Sequence, residues 1–492
     1  MDVSTRTLAG IAAGTLAIAI AAVAPVACGS SSSDTPIAAD GGDAAPAFAY
    51  RGAGCEYDVA PPEALAFVGL AVDDGASPGA EAVRVRLGLG GDTKSGAPGY
   101  ADPSRTAVVT WETTTPTRAA RVRIGASADQ LAPVTGYSWT TPAPEVGFGA
   151  NESATNMHEV HLCKLEPGRT YYYQVGGGTP EVWSATQSFT TVPATGPVTV
   201  GILGDARDKV DVWQRVQLRM RERAVNLQVT TGDLVFTGTQ QSLYDQWLGA
   251  IWKDPADPSR FVTLGQQMMV MVAGNHENEA TRFYGAFAIP GNGPFAESYA
   301  SFDVMNTHFV VIDDQPIALL GGGEQATTMT KWLDDDLERA DGARDRVPFL
   351  VVVHHRGLYT TSSHADDSDV LDLRKVFAPI FDKHHVDLVV NGHDHAYERT
   401  KALRPGADPR GEPTIGEPGK GTVYVVNAGA GASPYGVADA GFIEKATTFG
   451  GTTGFDGLYG VLTLDGRKLT MTSYGLTAAG TDPVIDTIEL VK

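Results

Sequence analysis

Cysteine is scarce in this chain. It has three in 492 residues, with no Cys-x-x-Cys spacing, which argues against a thiolate zinc site. Basic residues are in the minority, with 37 Lys and Arg against 58 Asp and Glu and a net charge of −21. That balance argues against a general nucleic-acid or anionic-membrane binder, since both need a basic face. It does not exclude a small anionic substrate, because bound metal ions dominate their local field. No Gly-x-Ser-x-Gly elbow is evident, so the sequence offers no signal for a serine nucleophile of that kind. No internal repeat is visible. What remains is ordinary for folded protein, with 42% apolar and 19% charged residues, in a chain long enough for two or three domains.

The N-terminus reads as an export signal. Arg6 precedes an apolar, Ala-rich run over residues 8–27 that ends in small residues. Such a run fits a signal peptide over residues 1–27 better than a retained transmembrane anchor. Pro25-Val26-Ala27-Cys28 is similar to a bacterial lipoprotein cleavage site, with Pro25 where Leu is usual. Lipid attachment at Cys28, or else simple secretion, is expected. The location is then exported: an outer or cell-surface membrane lipoprotein, or a secreted or periplasmic protein. With Cys28 acylated, Cys55 and Cys163 remain. They either pair, as an oxidising compartment permits, or stay as two buried thiols. Residues 28–55 are rich in Ser, Asp, Gly and Ala and read as a flexible tether.

Residues 56–193 carry an all-β pattern. Short β-branched and aromatic runs at 107–111, 120–124, 159–162 and 170–175 are separated in part by turn signals such as Glu166-Pro167-Gly168. A β-sandwich is expected. After the boundary at Ala194-Thr195-Gly196-Pro197 the texture changes over residues 197–492. Apolar strand-like runs at 198–203, 227–230, 268–273, 349–353, 386–390 and 423–426 alternate with helix-like segments at 212–223, 242–252, 328–340 and 370–384. This is an α/β pattern with sheets covered by helices. Residues 458–464 and 469–474 around Asp465-Gly466 read as a closing hairpin.

The chemistry lies at the strand ends. Five strand-like runs finish, in order, in Gly204-Asp205, Gly232-Asp233, Gly274-Asn275-His276-Glu277, His354-His355-Arg356 and Asn391-Gly392-His393-Asp394-His395. A lone Asp after a strand is usually a helix N-cap, and a lone strand-end His is usually a hydrogen-bonded structural group. Five such endings in succession carry more weight. Oxygen and imidazole donors gathered at the C-terminal edge of an α/β sheet suit first-row metal ions.

These motifs, with Gly392-His393-Asp394-His395-Ala396-Tyr397-Glu398-Arg399 the most specific, resemble the calcineurin-like metallophosphoesterases and, within them, the purple acid phosphatases. Val108-Val109-Thr110-Trp111 and the stretch from His161 to Gly176 are similar to that subgroup's fibronectin-III-like domain. The resemblance implies a fibronectin-III-like sandwich followed by an α/β sandwich of two β-sheets flanked by helices. It also implies two metal ions, of which Fe, Zn or Mn are expected. Asp205 and His395 would hold the first metal, Asp233 would bridge, and Asn275, His393 and one of His354 or His355 would hold the second. The register of the following Tyr359 favours His355. His276 and His364 would face the phosphate and act as catalytic or substrate-binding groups. Tyr397, Glu398 and Arg399 would support the ligands from behind. The implied reaction is hydrolysis of a small phosphorylated substrate, a phosphate monoester, by a hydroxide held on the metal pair. The alternatives are a phosphodiesterase or nucleotidase on the same site, or a surface binding module with a weakened metal site.

Two positions depart from the family pattern. The metal-binding tyrosine three residues after the bridging Asp is Phe236, and the His that other metallophosphoesterases place two residues after the first Asp is Arg207. Without a phenolate at the metal, no visible tyrosinate charge-transfer band is expected, and a strong purple absorbance in the isolated protein would contradict this. Water or Asp208 is available to fill the gap. Arg207 either approaches the phosphate, which guanidinium suits, or pairs at the surface.

Overall fold

The computed structural model describes residues 48–59, 68–91, 101–141, 154–254, 257–278, 280–295, 297–320, 323–417 and 419–492. The expected export signal, Cys28 and the expected tether as far as residue 47 lie outside these. Among the described residues, no helix is long and apolar enough to cross a membrane.

Period-two alternation builds the layers after residue 197. In the strand Phe349–His354, Phe349, Val351 and Val353 face one apolar cluster, while Leu350 and Val352 face another. Both faces of the strand are therefore buried, as a central parallel strand requires. The same holds for Val198–Leu203, where Val198, Val200 and Ile202 point one way and Leu203 the other. The shared cluster lies between two sheets. The outer clusters are closed by helices: Val210–Glu222 and Gln241–Trp252 bring Trp213, Val216 and Trp247 to one sheet. Glu324–Asp341 and Ser368–Lys383 bring Leu333, Leu337, Phe377 and Phe381 to the other. Each such fully buried side chain contributes about 1.5–3 kcal/mol of transfer free energy.

The first sheet runs, in spatial order, through Met268–Val270, Leu227–Thr230, Val198–Leu203, Gly457–Asp465, Lys468–Leu476 and Val484–Val491. The second runs through Tyr299–Val304, Thr307–Ile312, Phe349–His354, Leu388–Asn391, Val423–Asn427, Tyr397–Thr400 and Ile443–Thr447. The expected hairpin around Gly466 is present, with Leu464 opposite Leu469. The strand Val484–Val491 and the hairpin Tyr299–Val304/Thr307–Ile312 are additions that the apolar runs did not mark.

The β-rich region before residue 193 forms two sheets, and one of them is continuous with the first catalytic sheet. Leu87 pairs in parallel with Met268, and its N–H donates to Leu264 O at 3.2 Å. The tether, expected to reach residue 55, ends earlier in the structure. Tyr50 is buried and pairs with Val59, its hydroxyl donates to Thr135 O at 3.0 Å, and Cys55 is joined to Cys163. One aromatic ring and one disulfide give this stretch enough burial and constraint to order it.

A buried charged group ties the second sheet to its helix. His308 contacts Asp303 at 2.6 Å and Asp336, on Glu324–Asp341, at 2.9 Å. Burial alone would lower its pKa, but Asp336 and Asp303 outweigh burial and hold it up at about 9. A pKa raised on folding stabilises the fold fully below the unfolded value, about 6.5, and that contribution is lost as pH rises through about 9. His308→Gln is therefore expected to cost on the order of 3 kcal/mol near pH 6. The difference from the parent protein should shrink above pH 9, read by urea unfolding at both pH values. An equal difference at both would contradict the assignment.

Candidate metal centre

The strand ends converge as the sequence pattern implies, and the backbone is bent to make them do so. Asp205, Asp233 and His393 all adopt positive φ, at 57°, 54° and 70°. Non-glycine residues adopt this conformation at a cost and concentrate at functional sites when they do. Two glycines permit the close approach. A Cβ on Gly274 would lie 2.3 Å from Asp233 Oδ1, and one on Gly392 would lie 2.5 Å from Asp205 Oδ2.

Four electron-pair donors gather at one point. His355 Nε2 lies 2.9 Å from Asn275 Oδ1, 3.2 Å from Asp233 Oδ1 and 3.2 Å from His393 Nδ1. His393 Nδ1 is 3.0 Å from Asn275 Oδ1. The His355 Nδ1–H donates to Thr231 O at 2.7 Å, so its Nε2 carries a lone pair. Burial pushes His355 and His393 below their ordinary pKa values, His393 strongly. This gathering of a carboxylate, an amide oxygen and two imidazoles suits a first-row metal. Asp205, Asp233 and His355 also meet as a metal-capable cluster, their ligand atoms all within 4.8 Å. The two histidines differ in side-chain direction. His354 turns to Asp314, 3.2 Å away, and packs on Phe377 and Phe381, while His355 enters the site.

Asp205 and His395 lie beside this group. His395 Nε2 is 3.6 Å from Asp205 Oδ1, and its Nδ1–H donates to Ser433 O at 2.6 Å. Asp205 Oδ2 is buried with no hydrogen-bond partner. Burial and the neighbouring Asp233 raise the Asp205 pKa well above the usual carboxylate range. In Asp233 burial is outweighed by His355, His276 and Arg207, which keep it ionised.

His276 and His364 reach the site from two sides. His276 is held by Phe236 O at 2.7 Å from Nδ1, and its Nε2 lies 3.8 Å from Asp233 Oδ2. The His364 ring centre is 4.1 Å from that of His393, and its Nδ1 is held by Asp367 at 2.7 Å. Phe236 is 57% exposed beside His276. Asp208 accepts from Ser433 N at 3.1 Å. Arg207 lies within the centre, with Nε 3.6 Å from Asp233 Oδ2.

The chain matches families over two segments, residues 98–191 to the purple acid phosphatase N-terminal domain and residues 199–397 to the calcineurin-like phosphoesterases. Over these two segments the chain is similar to the purple acid phosphatases and the calcineurin-like phosphoesterases. Purple acid phosphatase 22 of Arabidopsis thaliana is 30% identical over 278 residues, covering 54% of this chain and 58% of that protein. Acid phosphatase type 7 of Mus musculus is 24% identical, covering 61% of this chain and 69% of that protein. The chain thus spans about 58% of the length of its Arabidopsis relative. A purple acid phosphatase from yellow lupin seeds shares the fold at 19% identity with a TM-score of 0.66, covering 84% of this chain and 74% of that one.

Around the candidate ligands stand supporting groups, and the sequence pattern assigns no role to Glu277 or Tyr435 among them. Glu277 is buried and accepts from Gly274 N at 2.6 Å, Asp233 N at 2.9 Å and Leu234 N at 2.9 Å. It locks two ligand-bearing loops together. Burial and Asp233 raise its pKa to about 8, against the three backbone donors. The local signal is present: Glu three residues after Gly274 is the spacing by which a side chain reaches back over a helical turn. Tyr435 stacks on His395 at 4.0 Å, and Glu398 receives the Thr360 and Thr361 hydroxyls of the loop leading to His364. Glu277→Gln places an amide N–H2 against backbone donors. It is expected to cost about 1–3 kcal/mol per unsatisfied group and to weaken metal binding ~10–100-fold, read by thermal melting and metal titration. Unchanged affinity would mean the loops hold themselves.

Proposed function

We propose that the chain hydrolyses phosphate monoesters outside the cytoplasm. The convergence of Asp233, Asn275, His355 and His393 lone pairs on one point carries this reading. Those four would hold a metal ion, with Asp205 and His395 beside them. A bound cation there supplies Lewis-acid stabilisation of the phosphoryl charge and activates water.

The rest is the work of the chain's own side chains. Arg207 brings a permanent positive charge to the phosphoryl oxygens. His276, fixed by the Phe236 carbonyl with Nε2 toward the ligands, is placed to give a proton to the leaving oxygen. His364, oriented by Asp367, flanks the phosphate on the side of His393. Tyr435 stacks on the His395 ring. The Cys55–Cys163 disulfide supports an oxidising, exported location, with Cys28 the proposed lipid anchor.

Assay of the purified, metal-supplied chain on p-nitrophenyl phosphate, bis-p-nitrophenyl phosphate and nucleotides tests the substrate class. Faster turnover of the monoester is expected. A diester or nucleotide preference would overturn the monoester reading.

A further inference from the structure

The two halves of the centre are not equivalent, and the difference lies at Arg207. Around Asn275 and His355 the lone pairs face one another with no positive side chain between them. On the Asp205 side, a cation is already in place. Arg207 Nη2 lies 3.3 Å from His395 Nε2 and its Nε 3.6 Å from Asp233 Oδ2. The His395 Nδ1–H is committed to Ser433 O. Nε2 therefore has a single lone pair to offer, and the guanidinium takes it. The family pattern would need that same lone pair for the first metal. The side chains that would strengthen a metal here are also absent, since the Phe236 ring carries no oxygen and position 207 is the guanidinium itself. The Arg207 side chain is only 9% exposed, with the Phe236 ring 6.0 Å from its Cζ.

We propose that the Arg207 guanidinium stands in for the first metal, so that the centre binds one metal ion at Asp233, Asn275, His355 and His393. This rests on the metal reading of the site above, and it disagrees with the two-metal expectation at the first position only. Arginine never loses its charge under physiological conditions, so a cation and the guanidinium would repel each other in the same space. The buried Nε and Nη1 make no hydrogen bond within the chain. They remain as donors for oxygens of the bound phosphate, a task the first metal would otherwise perform.

The test uses the full exported chain, stripped with a chelator and titrated with Mn²⁺ alone. Bound metal is counted by elemental analysis after gel filtration, and electron paramagnetic resonance reports whether ions are spin-coupled. One uncoupled Mn²⁺ per chain is expected. Arg207→His, which frees the His395 lone pair and adds a ligand, is expected to bind two coupled ions. Arg207→Ala, which only vacates the space, checks the result should the histidine variant fold poorly, and it too should gain the second ion. Two ions in the parent chain, or a single ion in both variants, would overturn the proposal. No ion in the parent would overturn both this and the metal reading. Phosphatase turnover is a separate readout. Its absence with one bound ion would remove the proposed reaction and leave the metal count standing.

Discussion

Asp233→Ala is expected to lower turnover of p-nitrophenyl phosphate at least ~10³-fold, a loss of about 4 kcal/mol in transition-state stabilisation. The carboxylate faces His355, His276 and Arg207 at once. Its Oδ1 lies 3.2 Å from His355 Nε2 and accepts the His276 N–H at 3.0 Å, and its Oδ2 faces Arg207 at 3.6 Å. Removing it takes a ligand from the metal, a counter-ion from the guanidinium and an anchor from the His276 turn together. Asn275→Ala is expected to act in the same direction, because Asn275 Oδ1 sits between His355 and His393. Neither change reaches the β-sandwich, whose packing centres on Trp111, Val109, Val122 and Tyr173, so far-ultraviolet circular dichroism should be preserved. Asp233→Asn keeps the shape and loses the charge, and it separates the electrostatic role from packing. Turnover retained in Asp233→Ala, after contaminating phosphatase has been removed, would refute this account of the site.

The largest stability effect is expected at the disulfide. Cys55 and Cys163 are 108 residues apart, and in the chain-entropy account a closed loop of that size stabilises by about 4–5 kcal/mol. That is a large share of the total stability of an ordinary domain. The bond holds a small clasp against the strand Thr155–Leu162: Ala53 pairs with Leu162, and His161 N donates to the Tyr50 hydroxyl at 3.2 Å. The double variant Cys55→Ser, Cys163→Ser is expected to unfold the sandwich at markedly lower denaturant. Denaturant unfolding followed by tryptophan fluorescence measures it, and the same shift should appear when the parent protein is reduced. A change under about 1 kcal/mol would mean that the clasp is held by Tyr50 and its neighbours rather than by the covalent link.

Much of the architecture is legible in the sequence because it rests on short-range periodicity. Apolar runs such as 198–203 and 349–353 appear as the strands Val198–Leu203 and Phe349–His354. The helix expected at 370–384 is Ser368–Lys383. The strands that escape a sequence reading are those whose pattern is mixed. Val484–Val491 is an edge strand with several exposed positions, so neither alternation nor a continuous apolar run marks it. Composition places the end of the tether too late, because it does not register a single buried tyrosine and a covalent bond.

The candidate ligands are legible for a different reason. A residue that must leave a strand abruptly and approach a metal needs glycine beside it, and that pairing is written locally at Gly204-Asp205, Gly232-Asp233, Gly274-Asn275 and Gly392-His393. Direction is not legible. With both faces of Phe349–His354 buried and apolar, alternation alone does not say which face looks into the site. His354 goes with Leu350 and Val352 toward the helices, and His355 goes to the ligands. The role of Glu277 depends on Asp233 and Leu234, more than forty residues away in the chain.

The sequence by itself determined the class of chemistry, because metal-binding side chains beside glycines at successive strand ends are a local property. Phe236 and Arg207 also marked the first metal position as altered. Only the tertiary structure decided what the alteration means. An arginine two residues after Asp205 could have pointed anywhere, and its position depends on His395, Asp233 and Tyr435 arriving from three distant segments. Their packing leaves the long, charged side chain buried against the lone pair of His395, where long-range electrostatics rather than local pattern sets the charge of the centre.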